Sequence, residues 1–168
     1  WRHSPRRLEA EAVRDALLAV SGQLNLRMGG SGYMPWNLHI DNTHFYDWED
    51  KIGEDFNRRT VYRLGVQSAR DPLLDSLDCP DLSTKTPVRA STTTPIQALA
   101  LMNSSVVQRQ AQMFAERLIA EAPSSVEAQI TRAYRLAYAR APKSSELARD
   151  ASASKELGLP TVCWAIFN

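Results

Sequence analysis

The stretch "RASTTTPIQALALMNSS" (89–105) constrains this chain more than any other, because it contains a helix start that leaves little choice. Thr94-Pro95-Ile96-Gln97 fits a capping box, with a threonine at the cap, a proline in the first turn and a glutamine three residues on. The Thr94 hydroxyl would accept from the Gln97 backbone N–H, and the Gln97 side chain would reach back to the Thr94 N–H. A cap of this kind stabilises by about 1 kcal/mol. Ile96, Ala98, Leu99, Ala100, Leu101 and Met102 leave almost no polar face, so the spacing predicts a central, buried helix over 95–102. The threonines also raise the question of a nucleophile. With no G-x-S-x-G elbow and no histidine nearby in sequence, capping is the better account.

Other helices follow from the same signals. "SPRRLEAEAVRDALLAVSG" offers Ser4 as a cap, Pro5 in the first turn and Gly22 at the exit. Leu8, Ala12, Val13, Ala16, Leu17 and Val20 form one apolar stripe along it. Asn103-Ser104-Ser105 breaks the central helix and caps a second over 105–120, in which Val106, Val107, Ala111, Phe114, Leu118 and Ile119 align. Ser124-Ser125-Val126-Glu127 reads as a second capping box, Ser124 with Glu127, for a helix over 126–139 that Pro142 ends. A short helix begins at Ser144 or Ser145. Gly158 and Pro160 then punctuate the chain before its apolar end.

Between 23 and 57 helical periodicity fails, and the segment reads as a long irregular loop rich in aromatic residues. "RRTVYRLGV" carries the β-branched and aromatic residues of a short strand, and 69–90 should be irregular apart from one turn near Leu73–Leu77. The expectation is a mainly α chain forming one domain over 1–168. It would have five or six helices, a central pair over 95–120 with 5–20 and 126–139 packed on it, and at most a short strand pair near 60–66.

Composition excludes several classes. At 168 residues with 43% hydrophobic and 23% charged residues, the chain can bury a core and has no bias toward disorder. No apolar run approaches the roughly 20 residues of a membrane helix. A formal net charge of +1 argues against binding driven by phosphate neutralisation, so nucleic acid is not an expected partner. Cys79 and Cys163 lie far apart outside any CxxC or CxxCH, and two small buried thiols describe them better than a disulfide. The start at Trp1 and the apolar "VCWAIF" at the end suggest a fragment of a longer multidomain protein.

The candidate functional residues fall in the loop. His39, Asp41 and His44, with Asp47, Glu49 and Asp50 behind them, are the weak candidates for a metal site. A solvated acidic loop is the preferred reading, since the histidine spacing matches no helical ligand motif. "MGGSGY" lacks the lysine and the spacing of a phosphate-binding loop, so glycines that let two backbones approach explain it better. Tyr33, Trp36, Phe45, Tyr46 and Trp48 cluster within sixteen positions. Packed inward they are a satellite core beneath the loop, the reading we favour. Turned outward, Tyr33, Trp36, Tyr46 and Trp48 are a surface for sugar rings or a partner protein. Arg58, Arg59 and Arg63 should pair with the acidic residues that precede them.

Taken in order, the "MGG" loop, "RRTVYR", "LLDSLDCPD", "STTTPIQALALMNS" and "ITRAYRLAYARAP" resemble the carboxy-terminal domain of planctomycete cytochrome-type proteins. This is the planctomycete PSD domain, the DUF fifteen-fifty-three family of unknown function. The resemblance implies an exported, periplasmic or extracellular multidomain protein, with haem c in another domain and no cofactor in this one. Its expected partners are the other domains of the same polypeptide, with glycan or protein at the aromatic loop. It assigns no catalytic residue. The expected role is a non-catalytic accessory module linked to electron transfer or polysaccharide use. The competing expectation is part of a cytochrome-coupled oxidoreductase or polysaccharide-acting enzyme, with a metal or substrate site in 36–50. Three departures stand out: Ser105 where the family has a proline, Lys143 where a capping threonine is common, and a tail that stops early, as though shortened near 150–160.

Overall fold

A computed structural model describes residues 6–66, 68–81 and 84–168. The expected cap Ser4 lies outside them. Among the described residues the fold is mainly α, with α1 (Ala10–Ser21), β1 (Trp36–Ile40), β2 (His44–Trp48), α2 (Pro72–Ser76), α3 (Pro95–Asn103), α4 (Ser105–Glu121), α5 (Val126–Tyr138), α6 (Ser144–Leu157) and α7 (Leu159–Phe167). Two 3-10 turns, Glu54–Asn57 and Thr60–Tyr62, follow the hairpin. The chain divides into two compact units: Trp1–Ala16 with Leu24–Ala100, and Leu17–Gln23 with Leu101–Asn168.

The second unit is built from helices with one apolar face each. In α4 the buried positions Val107, Ala111, Phe114, Ala115 and Leu118 recur at three-and-four spacing. Against them pack Ile130, Ala133 and Tyr134 from α5 and Leu159, Val162, Cys163 and Ile166 from α7. The Phe114 and Phe167 rings stack with centroids 5.5 Å apart. Two polar pairs are sealed into this unit. Ser21 Oγ lies 2.6 Å from Gln110 Oε1, and the Tyr134 hydroxyl donates to Asp150 Oδ2 at 2.7 Å. Burial and that carboxylate push the Tyr134 hydroxyl up to about 12.

The first unit holds the hairpin, which occupies what the sequence presents as loop. Residues 36–40 and 44–48 alternate in a period of two, and Asp41-Asn42-Thr43 turns the chain between them. The strand pair therefore sits at 36–48, and within 60–66, the segment expected to be a strand, Thr60–Tyr62 form a 3-10 turn. Asp71 caps α2, its side chain accepting from the backbone N–H of Leu73 and Leu74.

Three further expectations are corrected. α3 is not a buried central helix: Ile96, Leu99 and Met102 are 70%, 55% and 42% exposed, and its buried residue is Gln97. Ser125, not Ser124, caps α5 by accepting from the Ala128 N–H, which leaves Glu127 one position short of a capping box. α7 was not expected, because Gly158 and Pro160 read as a stop. Proline in a first helical turn removes only an N–H that has no helical partner, so Pro160 starts the helix instead.

Lys143, a poor cap by type, is offset by Glu146. That carboxylate accepts the Lys143 backbone N–H at 2.7 Å and both terminal nitrogens of Arg140 at 2.7 and 2.8 Å. Arg140 first, then the Lys143 N–H, hold the Glu146 carboxyl down at about 2.

Candidate functional site

The glycine-rich segment 27–34 is fixed by its backbone and by one arginine. Gly29 and Gly30 take φ of 75° and 78°, the left-handed region that glycine enters without steric cost. At Gly32 a Cβ would lie 2.6 Å from the Tyr62 carbonyl oxygen, so the close approach of two backbones requires glycine there. Beside it the Tyr33 N–H donates to Tyr62 O, and the Leu64 N–H donates to Tyr33 O, each at 3.0 Å.

Arg58 ties the loop down. Its guanidinium donates to the carbonyls of Ser31 (2.8 Å), Gly29 (2.6 Å) and Arg27 (3.3 Å). It also lies 3.9 Å above the Tyr62 ring. The sequence pointed to a salt bridge with the acidic loop. The structure gives Arg58 neutral partners and gives Asp15 to Arg59, at 3.8 Å. Arg14 braces the same region from α1, donating to the carbonyls of Phe56 and Arg58 and to the Thr60 hydroxyl.

Loop, hairpin and the Glu54–Asn57 turn line an open-sided cavity of about 820 Å³. Its wall is aromatic: Tyr33, Trp36, Tyr46 and Phe56, with Leu38 and Met34 beside them. Trp36 and Tyr46 meet edge to face at 6.3 Å, as do Tyr33 and Phe56 at 6.1 Å. The hairpin register explains the grouping. Pairs Trp36↔Trp48, Leu38↔Tyr46 and Ile40↔His44 share one face, which carries Trp36, Tyr46 and Trp48, while Phe45 lies on the other face with His39. The polar lining is Arg27, Asn37, Lys51, Asp55 and Arg58, and Lys51 Nζ donates to the Trp36 carbonyl at 2.8 Å.

The aromatic cluster is not uniformly buried, and Phe45 is 50% exposed. Tyr33 and Trp36 are buried, as in a satellite core, while Tyr46 and Trp48 remain half-buried. Tyr33, Trp36 and Tyr46 all line the cavity; Trp48 shares their hairpin face without lining it. Burial raises the Tyr33 hydroxyl above the usual tyrosine value, and that oxygen has no hydrogen-bond partner among the described residues. Arg58, Lys51 and Phe56 were missed as lining residues. Their only signal in sequence was an arginine and a lysine flanking an aromatic-rich segment.

The metal candidates do not converge. His39 pairs with Phe45 and His44 with Ile40, so the two imidazoles lie on opposite faces of the ribbon. Asp41 sits in the turn, its N–H donating to the Thr43 carbonyl. Among the described residues no group of three or more histidines, cysteines or carboxylates is placed to hold a metal ion. Cys79 is half-buried and Cys163 buried, and both are free thiols. Burial pushes Cys163 up to about 12, which leaves it unreactive.

A second polar cluster gathers residues from distant motifs. Asp78, at a φ of 67°, accepts from the Thr92 N–H and hydroxyl, from Gln97 Nε2 and from Arg7. The Thr92 N–H is the main cause that holds its carboxyl below the usual range. Gln97 Oε1 accepts the Thr94 N–H at 3.1 Å, and the Gln97 N–H donates to the Thr94 hydroxyl at 3.4 Å. Arg89 nearby is taken up by Glu9 and Glu11. Every charge in this cluster meets an opposite one, so it fastens the start of α3 and leaves the cavity as the candidate site.

Thus "LDCPD" and "STTTPIQ", distant in sequence, meet in one network, and "MGG" and "RRTVYR" meet in another. A family model described as PSD1, protein of unknown function (DUF1553), matches residues 1–153. The chain belongs to the PSD1 family. Both networks and the cavity lie within the matched residues, whereas α7, which carries part of the second core, follows them. No curated protein and no solved structure matches this PSD1 chain. No helix among the described residues is long and apolar enough to cross a membrane.

Proposed function

We propose that this PSD1 chain is a non-catalytic accessory module that binds saccharide in the aromatic-walled cavity. The observation that carries the reading is the placement of Tyr33, Trp36 and Tyr46 around one space of about 820 Å³ with donors beside them. That volume falls within the range typical of small-molecule sites, about 300–1,000 Å³, which suits a few sugar rings and not an extended protein face. Aromatic rings take the C–H faces of sugars, while Asn37, Lys51 and Asp55 offer hydrogen bonds to hydroxyls. The wider setting we propose is an exported, periplasmic or extracellular bacterial multidomain protein concerned with polysaccharide use. In it c-type haem would belong to another domain, and the other domains of the polypeptide would be the structural partners.

One observation favours a second reading. Trp36, Asn37, Leu38 and Tyr46 of the hairpin all line the cavity, so the 36–50 segment could lend a substrate site to a polysaccharide-acting or cytochrome-coupled enzyme. A panel of neutral and acidic oligosaccharides, followed by tryptophan fluorescence and calorimetry, tests the proposal. Binding should occur without product formation and should weaken about tenfold or more in Tyr46→Ala, since stacked aromatics dominate such sites. Turnover of any bound oligosaccharide by the chain would favour the second reading. Silence across the panel would end the saccharide reading altogether.

A further inference from the structure

The cavity has a sign as well as a shape. We infer that the saccharide it takes is acidic, its ring against Trp36 and Tyr46 and its carboxylate or sulfate toward Arg27, Lys51 and Arg58. This deepens the saccharide reading above and depends on it. Three cations and one carboxylate, Asp55, line the space.

Two of the cations are unneutralised. Arg58 is 5% exposed, and its hydrogen bonds go to neutral carbonyls. Among the described residues no carboxylate pairs with it, and its Nε–H has no partner. A buried charge without a counter-ion keeps a long-range field, because little solvent intervenes to screen it. The Arg27 side chain stands exposed at the rim and makes no hydrogen bond or ion pair among the described residues. Lys51 spends its shortest contact on the Trp36 carbonyl and reaches Glu49 only at 3.9 Å.

Four other arginines of the same unit are held differently. Arg7, Arg59, Arg70 and Arg89 each lie between 2.6 and 3.8 Å from a carboxylate. The cavity thus holds two cations, Arg27 and Arg58, that no carboxylate pairs with among the described residues. One cation stands at the aromatic corner itself: Lys51 Nζ donates to the Trp36 carbonyl at 2.8 Å, where the Trp36 and Tyr46 rings meet edge to face.

The test is a calorimetric comparison of three oligosaccharides of equal length: a neutral galactan, an oligogalacturonate and a sulfated galactan. The inference expects one or both acidic ligands to bind about tenfold or more tightly than the neutral one, a margin of about 1.4 kcal/mol. That margin should shrink as salt rises from about 0.05 to about 0.5 M, as screening requires. Whichever acidic arm binds identifies the anion. Arg27→Gln, which breaks no contact, should lower acidic binding several-fold and neutral binding much less; Lys51→Gln added to it should remove most of the margin. Equal, salt-insensitive binding of all three ligands would overturn the inference while leaving the saccharide site standing. Failure of all three to bind would overturn both.

Discussion

Phe114 in the helical unit and Arg58 in the hairpin-bearing unit are both buried, at 0% and 5% exposure, and are held by opposite means. Phe114 sits in a cluster of apolar side chains from α4, α5, α6 and α7 and stacks on Phe167. Arg58 is held by three backbone carbonyls and an aromatic face. Thr60, Asp71 and Gln97, also buried, repeat the pattern in that unit, each binding backbone or side-chain polar groups. Apolar packing is non-directional and tolerates exchange of similar shapes. A polar staple is directional and fixes a loop at one geometry. A unit that presents a cavity between a loop and a hairpin needs the second kind of support.

The largest effect should come from the apolar side of this comparison. Phe114→Ala empties the centre of the helical core and should cost about 3–5 kcal/mol in urea unfolding. A loss under about 1 kcal/mol would show that this core is loosely packed. Arg58→Met keeps much of the side-chain volume but strips three carbonyls of their donor, which should cost about 2–3 kcal/mol. Hydrogen exchange should report that loss at the Tyr33 and Leu64 amides, with the amides of α4 left unchanged. Equal acceleration in α4 would mean that the two kinds of support are not separate. Thr94→Ala removes the cap of α3 and should cost about 1 kcal/mol, read as a lowered Tm.

The smallest effect is expected at Glu146, a half-buried carboxylate paired with the exposed Arg140 at the surface, where pairs contribute little. Its folded value, about 2, lies below the ordinary 4.5. Its stabilisation is therefore present above about pH 4.5 and fades as pH falls toward 2. Comparing wild type with Glu146→Gln across that range should give a gap that closes on acidification. A gap that widened would reverse the assignment.

How much of this was legible in the sequence follows the same division. Helices α4 and α5 were readable to within a residue or two, because a single apolar face at helical spacing leaves a repeating mark. The mainly α class followed from them. The hairpin was not readable, since Asn37, His39 and Asp47 on its other face made 36–48 look like polar loop. α3 misled in the opposite direction. An unbroken apolar run implies burial, yet Ile96 and Leu99 stand exposed and the residue drawn inward is Gln97, bound to Asp78 and Thr92. Arg58 could not be assigned from sequence at all, because its partners are carbonyls and carbonyls have no residue type. Tyr33, Trp36 and Tyr46 of the cavity were visible as a cluster and Phe56 was not, and the loop that bounds the space is held by the Arg58 staple.

Hydrogen exchange on the intact chain, with and without a saturating oligosaccharide from the panel above, tests the central claim most directly. Ligand in the cavity should slow exchange at the amides of 29–38 and 46–51 and leave α4 to α7 as they were. Protection confined to the helical unit, with the loop and hairpin unchanged, would contradict the assignment of the cavity as the binding site.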